Sequence, residues 1–129
     1  MKSMQLITQQ RADFSLRILN SAKELPAGEQ KQIRTVANSI PAQIQRTGLG
    51  QTLAFALSKK DKTDGKGWDF FHQILQKWIC EERKLYQSRD LMSSLTQGDM
   101  QQYQQAQAEA LALLIWTRKF ARAMLDNGK

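Results

Sequence analysis

The residues that could do chemistry are few and widely separated along the chain. His72 is the only histidine and Cys80 the only cysteine. On one helix, eight residues span about 12 Å along the axis, which is too far for a thiolate–imidazole pair or for two ligands of one metal ion. The adjacent carboxylates Glu81 and Glu82 would point about 100° apart on a helix. We therefore expect no catalytic residue, no metal, no cofactor and no small-molecule substrate, and keep a small enzyme using His72 or Cys80 as an alternative.

Two glycines, in Gly48-Leu49-Gly50, superficially resemble a phosphate-binding loop. No strand-like segment precedes them, and neither Gly-x-Gly-x-x-Gly nor Gly-Lys-Ser/Thr is present. The spacing instead predicts a helix that ends at a left-handed Gly48 in a Schellman motif, with Leu49 folding back on Ile44. Gly50 then lets the next helix begin at once. Pro41, inside the preceding helical pattern, predicts a kink or a break. The predicted structural residues are Pro41, Ile44, Gly48, Leu49 and Gly50.

The charge of the chain favours a polyanionic partner. Lysine and arginine total 19 against 12 acidic residues, giving a net charge of +7. The alternatives are a basic surface that is merely solvated and, near the end of the last helix, basic side chains that interact with the helix dipole. The candidate nucleic-acid-binding residues are Arg46, Lys59, Lys60, Lys62, Lys66, Arg118, Lys119 and Arg122.

The aromatic residues give little sign of base stacking. Trp68, Phe71, Trp78 and Phe120 mostly follow the spacing of a buried helix face. Trp116 lies off the main apolar stripe of the last helix, so it is either a protein-contact residue or part of a second core, since tryptophan is enriched in interface hot spots.

Apolar residues spaced three and four apart predict helices throughout. We expect helices over residues 3–25, over a second segment through Ile33 and Ile44, over a third with Leu53, Ala54 and Leu57 on its narrow apolar face, and from Trp68 to about residue 85. Residues 59–67 are polar and predict a flexible exposed loop with nothing to bury. The fold class is all-α: a single domain over residues 1–129, a bundle of five to six helices with a long C-terminal helix.

Capping residues locate the last two helices. Asp90 or Ser88 can begin a short fifth helix that Gly98 ends. Asp99, with Gln102 three residues later, resembles a capping box for a final helix over residues 100–126, roughly 40 Å long. A lone cysteine indicates a reducing compartment, and no segment approaches a signal peptide or the ~20 apolar residues of a membrane span. We therefore expect a cytoplasmic protein.

Several segments together resemble a known family. They are residues 11–14 (RADF), residues 40–55 (IPAQIQRTGLGQTLAF), residues 78–80 (WIC) and residues 106–120, which contain ALALLIW and end in KF. On these the chain is identified as a member of the small α-helical subunits of the type III-B CRISPR Cmr effector complex. The resemblance covers nearly the whole chain, and the segment from Pro41 to Gly50 is its most specific part.

The resemblance implies a compact helical protein without catalytic activity. Its expected partners are the Cmr backbone subunits, other copies of itself in a stacked filament, and the guide and target RNA, which a basic surface would contact. The family offers no catalytic motif to carry over, and residues 59–67 are where we expect relatives to differ. The competing hypothesis is a free-standing helical DNA-binding regulator, although the sequence shows no clear helix-turn-helix recognition segment.

Overall fold

The structure, a computed structural model, describes residues 6–126, and within that range it contains helices and no strand. This confirms the all-α class and the long final helix. Residues 3–5 of the predicted first helix lie outside the described range. The helices are α1 (Ile7–Ala22), α2 (Ala27–Thr47), α3 (Leu49–Lys59), α4 (Lys66–Gln76), a π-helical segment (Lys77–Glu82) that continues α4, α5 (Leu91–Gln97) and α6 (Met100–Met124).

The long helix α6 is the element around which the others pack. Helices α1 and α2 both lie along it, and α2 also packs on α4, which in turn contacts α3. Ala106 and Ala110 are fully buried on α6, so backbones can approach closely there. The backbone N–H of Asp126 donates to Gln30 Oε1, close to the start of α2, which shows that α2 and α6 run antiparallel.

The predicted helix starts at Asp90 and Asp99 are confirmed. Each carboxylate accepts a bond from the backbone N–H three residues later, at 3.2 Å from Ser93 and 2.8 Å from Gln102. Gly98 ends α5, as expected. These bonds satisfy N–H groups that the first turn of a helix leaves without partners.

Helix α2 runs through Pro41 without a break, so of the two predicted alternatives the break is wrong, and the kink stays a prediction. The helix ends at Gly48, whose φ of 90° is the positive value expected for a glycine there. Its ψ of 160° is far from the left-handed helical region that a Schellman motif requires. The chain therefore leaves α2 in an extended direction.

The Schellman motif is replaced by contacts from α6. The backbone N–H of Leu49 donates to Gln107 Oε1 at 2.9 Å, and that of Gly50 donates to the Tyr103 hydroxyl at 2.8 Å. A Cβ atom at Gly48 would lie 3.0 Å from the same hydroxyl. The glycine pair thus provides room for α6 side chains that cap the first turn of α3.

The predicted apolar face of α3 is partly wrong. Leu49, Leu53 and Ala56 are buried, whereas Ala54 and Leu57 are exposed. The face is rotated because the junction at Gly48 turns Leu49 into the core.

The predicted exposure of the loop over residues 59–67 is confirmed for residues 60–64, which form a short turn between α3 and α4, but Gly65 and Gly67 are buried. Gly67 is buried against α2, where a Cβ atom would lie 2.5 Å from the carbonyl oxygen of Gln32. The prediction that this segment has nothing to bury is therefore wrong, because Gly67 allows the start of α4 to touch the backbone of α2.

Helix α4 also departs from the prediction, since its regular part ends at Gln76 and the helix continues to Glu82 as a π-helix. The backbone N–H of Arg83 donates to the carbonyl of Trp78, five residues back. The wider turn places Trp78, Ile79 and Cys80 in the core together.

A buried carboxylate joins this π-helical segment to α1 and α6. Glu109, only 8% exposed, accepts two bonds from the Arg11 guanidinium, at 2.8 and 2.9 Å, and one from the Trp78 indole N–H at 2.8 Å. Burial alone raises the pKa of Glu109, but the bonds from Arg11 and Trp78 and the nearby charges of Arg11 and Arg83 lower it overall. Glu109 is therefore ionised in the fold.

We expect Glu109→Gln to lower the free energy of unfolding by roughly 2–4 kcal/mol, because it leaves a half-buried guanidinium without its bidentate partner. Chemical denaturation at neutral pH measures the change. The matched control is Asp13→Asn, which removes an exposed carboxylate 3.1 Å from Arg17 and should cost at most about 0.5 kcal/mol. Equal losses for the two variants would contradict the structural role of Glu109.

Candidate nucleic-acid interface

The four lysines predicted to bind nucleic acid between residues 59 and 66 lie on one short turn. Lys59 ends α3, Lys60 and Lys62 lie in the turn, and Lys66 begins α4. One α2 side chain, Gln32, holds this turn: its Oε1 accepts from the Lys66 backbone N–H at 2.9 Å and its Nε2 donates to the Thr63 carbonyl at 3.0 Å. We call residues 59–66 the lysine turn.

The predicted basic residues near the end of α6 are joined by an arginine that the sequence did not single out. Arg34 of α2 donates through Nη1 to the carbonyl oxygens of Arg122, at 2.5 Å, and Leu125, at 3.3 Å. Arg34, Lys119 and Arg122 line one shallow depression together with Ala123. Arg34 therefore contributes positive charge at the C-terminal end of α6, where the helix dipole is negative.

The two basic groups flank the same end of α2. Gln32 and Arg34 are two residues apart, so their side chains leave the helix about 200° apart, on opposite flanks. Lys31, exposed on the solvent face between them, adds a further positive charge. We call this surface, formed by the lysine turn, Lys31, Arg34, Lys119 and Arg122, the basic end of the bundle.

Two predicted residues lie elsewhere. Arg46 is exposed in the last turn of α2, twelve residues and therefore roughly 18 Å along the helix from Arg34. Arg118 is exposed on α6 but does not line the depression that holds Lys119 and Arg122. Of the eight candidates, four thus lie on the lysine turn, two line the depression with Arg34, and Arg46 and Arg118 lie outside both groups.

Trp116 is half-buried and stacks on Phe120 one turn later, with ring centroids 6.0 Å apart and planes 27° apart. The neighbouring Ile115 is 57% exposed, and its side chain is therefore more accessible than that of Trp116. A protein contact at Trp116 stays a prediction.

The groups considered for catalysis are buried. Cys80 is 5% exposed, and burial, with smaller effects of Asp90 and Glu81, raises the pKa of its thiol to about 11, so the thiolate is disfavoured. His72 is 8% exposed, and neither ring nitrogen has a hydrogen-bond partner. In residues 6–126, no three side chains of the His, Cys, Asp and Glu types lie close enough to hold a metal ion.

None of the helices between residues 6 and 126 combines the length and the apolar composition that crossing a bilayer requires. These residues define a small all-α protein with a basic end.

Comparison with known proteins gives the family. The profile of the CRISPR-associated protein family Cas_Cmr5 matches residues 7–124, almost the entire described range. The chain belongs to this Cmr5 family, which confirms the resemblance to the small subunits of the type III-B Cmr complex.

A relative and a solved structure agree with this membership. The relative, the CRISPR system Cmr subunit Cmr5 of Thermus thermophilus, is 26% identical over 106 residues, which cover 81% of this chain and 86% of the relative. The crystal structure of a CRISPR-associated Cmr5 family protein from the same organism matches with a TM-score of 0.69 and 24% identity. That match covers 94% of this chain and 98% of the solved one, so the fold is shared throughout.

We expect His72 to make the fold less stable in mild acid. Burial lowers the pKa of His72, more than the nearby Asp69 and Asp90 raise it, so the folded state favours the neutral ring. The stability that depends on the neutral ring is present above about pH 6.5, where an unfolded histidine is neutral, and is lost as the pH falls through the lower folded-state pKa.

Chemical denaturation at pH 7.5 and 5.5 measures this loss. His72→Phe keeps a ring of similar size without a titrating group, so most of the difference between the two pH values should disappear. Glu109, whose pKa is already lowered from 4.5, titrates below this window and does not contribute. An unchanged pH dependence in His72→Phe would assign the effect to other groups.

Proposed function

We propose that this chain is a non-catalytic structural subunit of a type III-B Cmr ribonucleoprotein in the cytoplasm, and that it contacts the guide–target RNA through its basic end. The observation that carries the proposal is that the first half of α2 holds two basic groups, the lysine turn through Gln32 on one flank and Lys119 and Arg122 beside Arg34 on the other. Family membership favours this function over a free-standing DNA-binding regulator.

The basic end suits contacts to phosphates rather than to base edges. Lysine and arginine side chains on an exposed surface bind phosphate oxygens and add affinity without reading sequence. A subunit that must accept any guide or target sequence needs this kind of contact. Because Gln32 and Arg34 fix both basic groups to α2, the charges keep a constant spacing along the RNA backbone.

The partners that the family resemblance implies would use apolar surfaces. Ile115 and the half-buried Trp116 present apolar area on α6 one turn before Lys119, beside the basic end, and Leu16, 40% exposed, does so on α1. We propose these residues as contacts with the Cmr backbone subunits or with neighbouring copies in a stacked filament. Arg46, at the opposite end of α2, would bind RNA only if the RNA also passes that end.

Removing charge from the basic end should weaken RNA binding and flatten its salt dependence. In the triple variant Lys62→Gln, Lys119→Gln, Arg122→Gln, we expect the slope of log K against log salt to fall in magnitude by about two to three, since each lost phosphate contact contributes roughly one. Filter binding of target RNA to a reconstituted complex, over a salt series, measures the slope.

The matched control removes the same number of positive charges from residues outside the basic end. Lys77→Gln, Lys84→Gln, Arg89→Gln changes three exposed residues in and after the π-helical segment. This control should leave the slope close to that of the wild type. The same reduction in both variants would mean that overall charge matters and the basic end does not, which contradicts the proposal.

A further inference from the structure

An aromatic pair lies directly beside the lysine turn. Phe55 of α3 is 39% exposed, and Trp68, in the first turn of α4, is half-buried. Their ring centroids are 5.0 Å apart and their planes are 79° apart, so one ring meets the other edge to face. Large aromatic side chains exposed together on a small protein commonly mark a binding surface.

The pair is continuous with the positive charge of the turn. The Lys59 ammonium lies 5.6 Å from the centroid of the Phe55 ring, over its face. Lys66 begins the helix turn that carries Trp68. The sequence assigns Trp68 to the core and gives Phe55 no role. In the fold Trp68 is partly buried against the core, as predicted, and Phe55 beside it is exposed.

We propose that Phe55 and Trp68 form a stacking platform for unpaired RNA bases, while the lysines of the turn bind the adjoining phosphates. This inference rests on the proposed function and specifies that the lysine turn binds RNA whose bases are unpaired. Paired bases in an A-form helix are stacked on each other, so aromatic side chains reach bases only in single-stranded or splayed segments. Exposed aromatic rings beside a cationic groove are the usual arrangement for single-stranded nucleic acid.

The charge around the pair favours RNA over a protein partner. Residues 59–66 contain four lysines and two aspartates. Lys59 is paired with Asp64 at 3.3 Å, and Lys66 lines a depression with Glu29 and Asp69, which leaves Lys60 and Lys62 with one further carboxylate in the turn, Asp61. Lysine is depleted at the centre of protein–protein interfaces, whereas a phosphate backbone requires cations at this spacing.

The test separates stacking from charge. The full-length chain is titrated, by fluorescence anisotropy at low salt, against a labelled twelve-residue oligoadenylate and against the same length of abasic RNA, which has the same phosphates and no bases. The wild type should bind the oligoadenylate about 5- to 100-fold more tightly. Phe55→Leu keeps an apolar side chain without a ring and should lose most of this preference, with little change for the abasic RNA.

Leu57→Ala is the matched control, since Leu57 is exposed to almost the same extent on the same helix, at 37%, and is not part of the aromatic pair. It should keep the wild-type preference. Equal binding of the two RNAs by the wild type, or an unchanged preference in Phe55→Leu, would overturn the stacking platform. If Lys60→Gln, Lys62→Gln also fails to weaken either RNA, the proposed RNA contact at this turn fails as well.

A crosslinking experiment distinguishes RNA from a protein partner on this surface. In the reconstituted complex loaded with 5-iodouridine-substituted RNA, irradiation should attach the RNA to Phe55 or Trp68, which mass spectrometry of the peptides identifies. Crosslinks from this surface to a neighbouring subunit, with none to RNA, would make it a protein contact and contradict the proposal.

Discussion

The carboxylate of Glu109 is the buried charge on which the packing of three elements depends. It ties α1, through Arg11, and the π-helical segment, through Trp78, to the middle of α6. A buried carboxylate is costly unless every oxygen has a partner, so α1 and the π-helical segment are restricted to the positions that provide those partners. The tilted contact of Phe14 with Trp78, at 4.9 Å between ring centroids, fills the adjacent space.

A fixed α6 determines where the proposed RNA-binding surface lies. Tyr103 and Gln107, on the same helix as Glu109, cap the start of α3 across the glycine pair. At the other end of α6, Arg34 of α2 binds the last carbonyls, while Gln32 on its opposite flank holds the lysine turn. The core thus sets the distance between the lysine turn and the basic residues Lys119 and Arg122, which are far apart in sequence, as the proposed contact with a phosphate backbone requires.

The sequence predicted those features of the fold that depend on residues close together in the chain, namely the helices and their caps. Apolar spacing gave the helices, and Asp90 and Asp99 gave two of their starts, because a cap and its helix lie within a few residues of each other. The sequence did not predict the geometry at Gly48, because its partners, Tyr103 and Gln107, are more than 50 residues away. The basic end was also predicted only in part. The sequence identified the lysines of the turn and the basic residues of α6, but Arg34 joins them only because the fold places α2 beside α6.

RNA that binds this subunit as proposed passes the basic end of the bundle. A cryo-electron microscopy structure of the reconstituted Cmr complex with guide and target RNA tests it most directly. We expect phosphate density within hydrogen-bond distance of Lys62, Arg34 or Arg122, and bases against Phe55 and Trp68. RNA that passes only the Arg46 end, or that nowhere touches this chain, would contradict it.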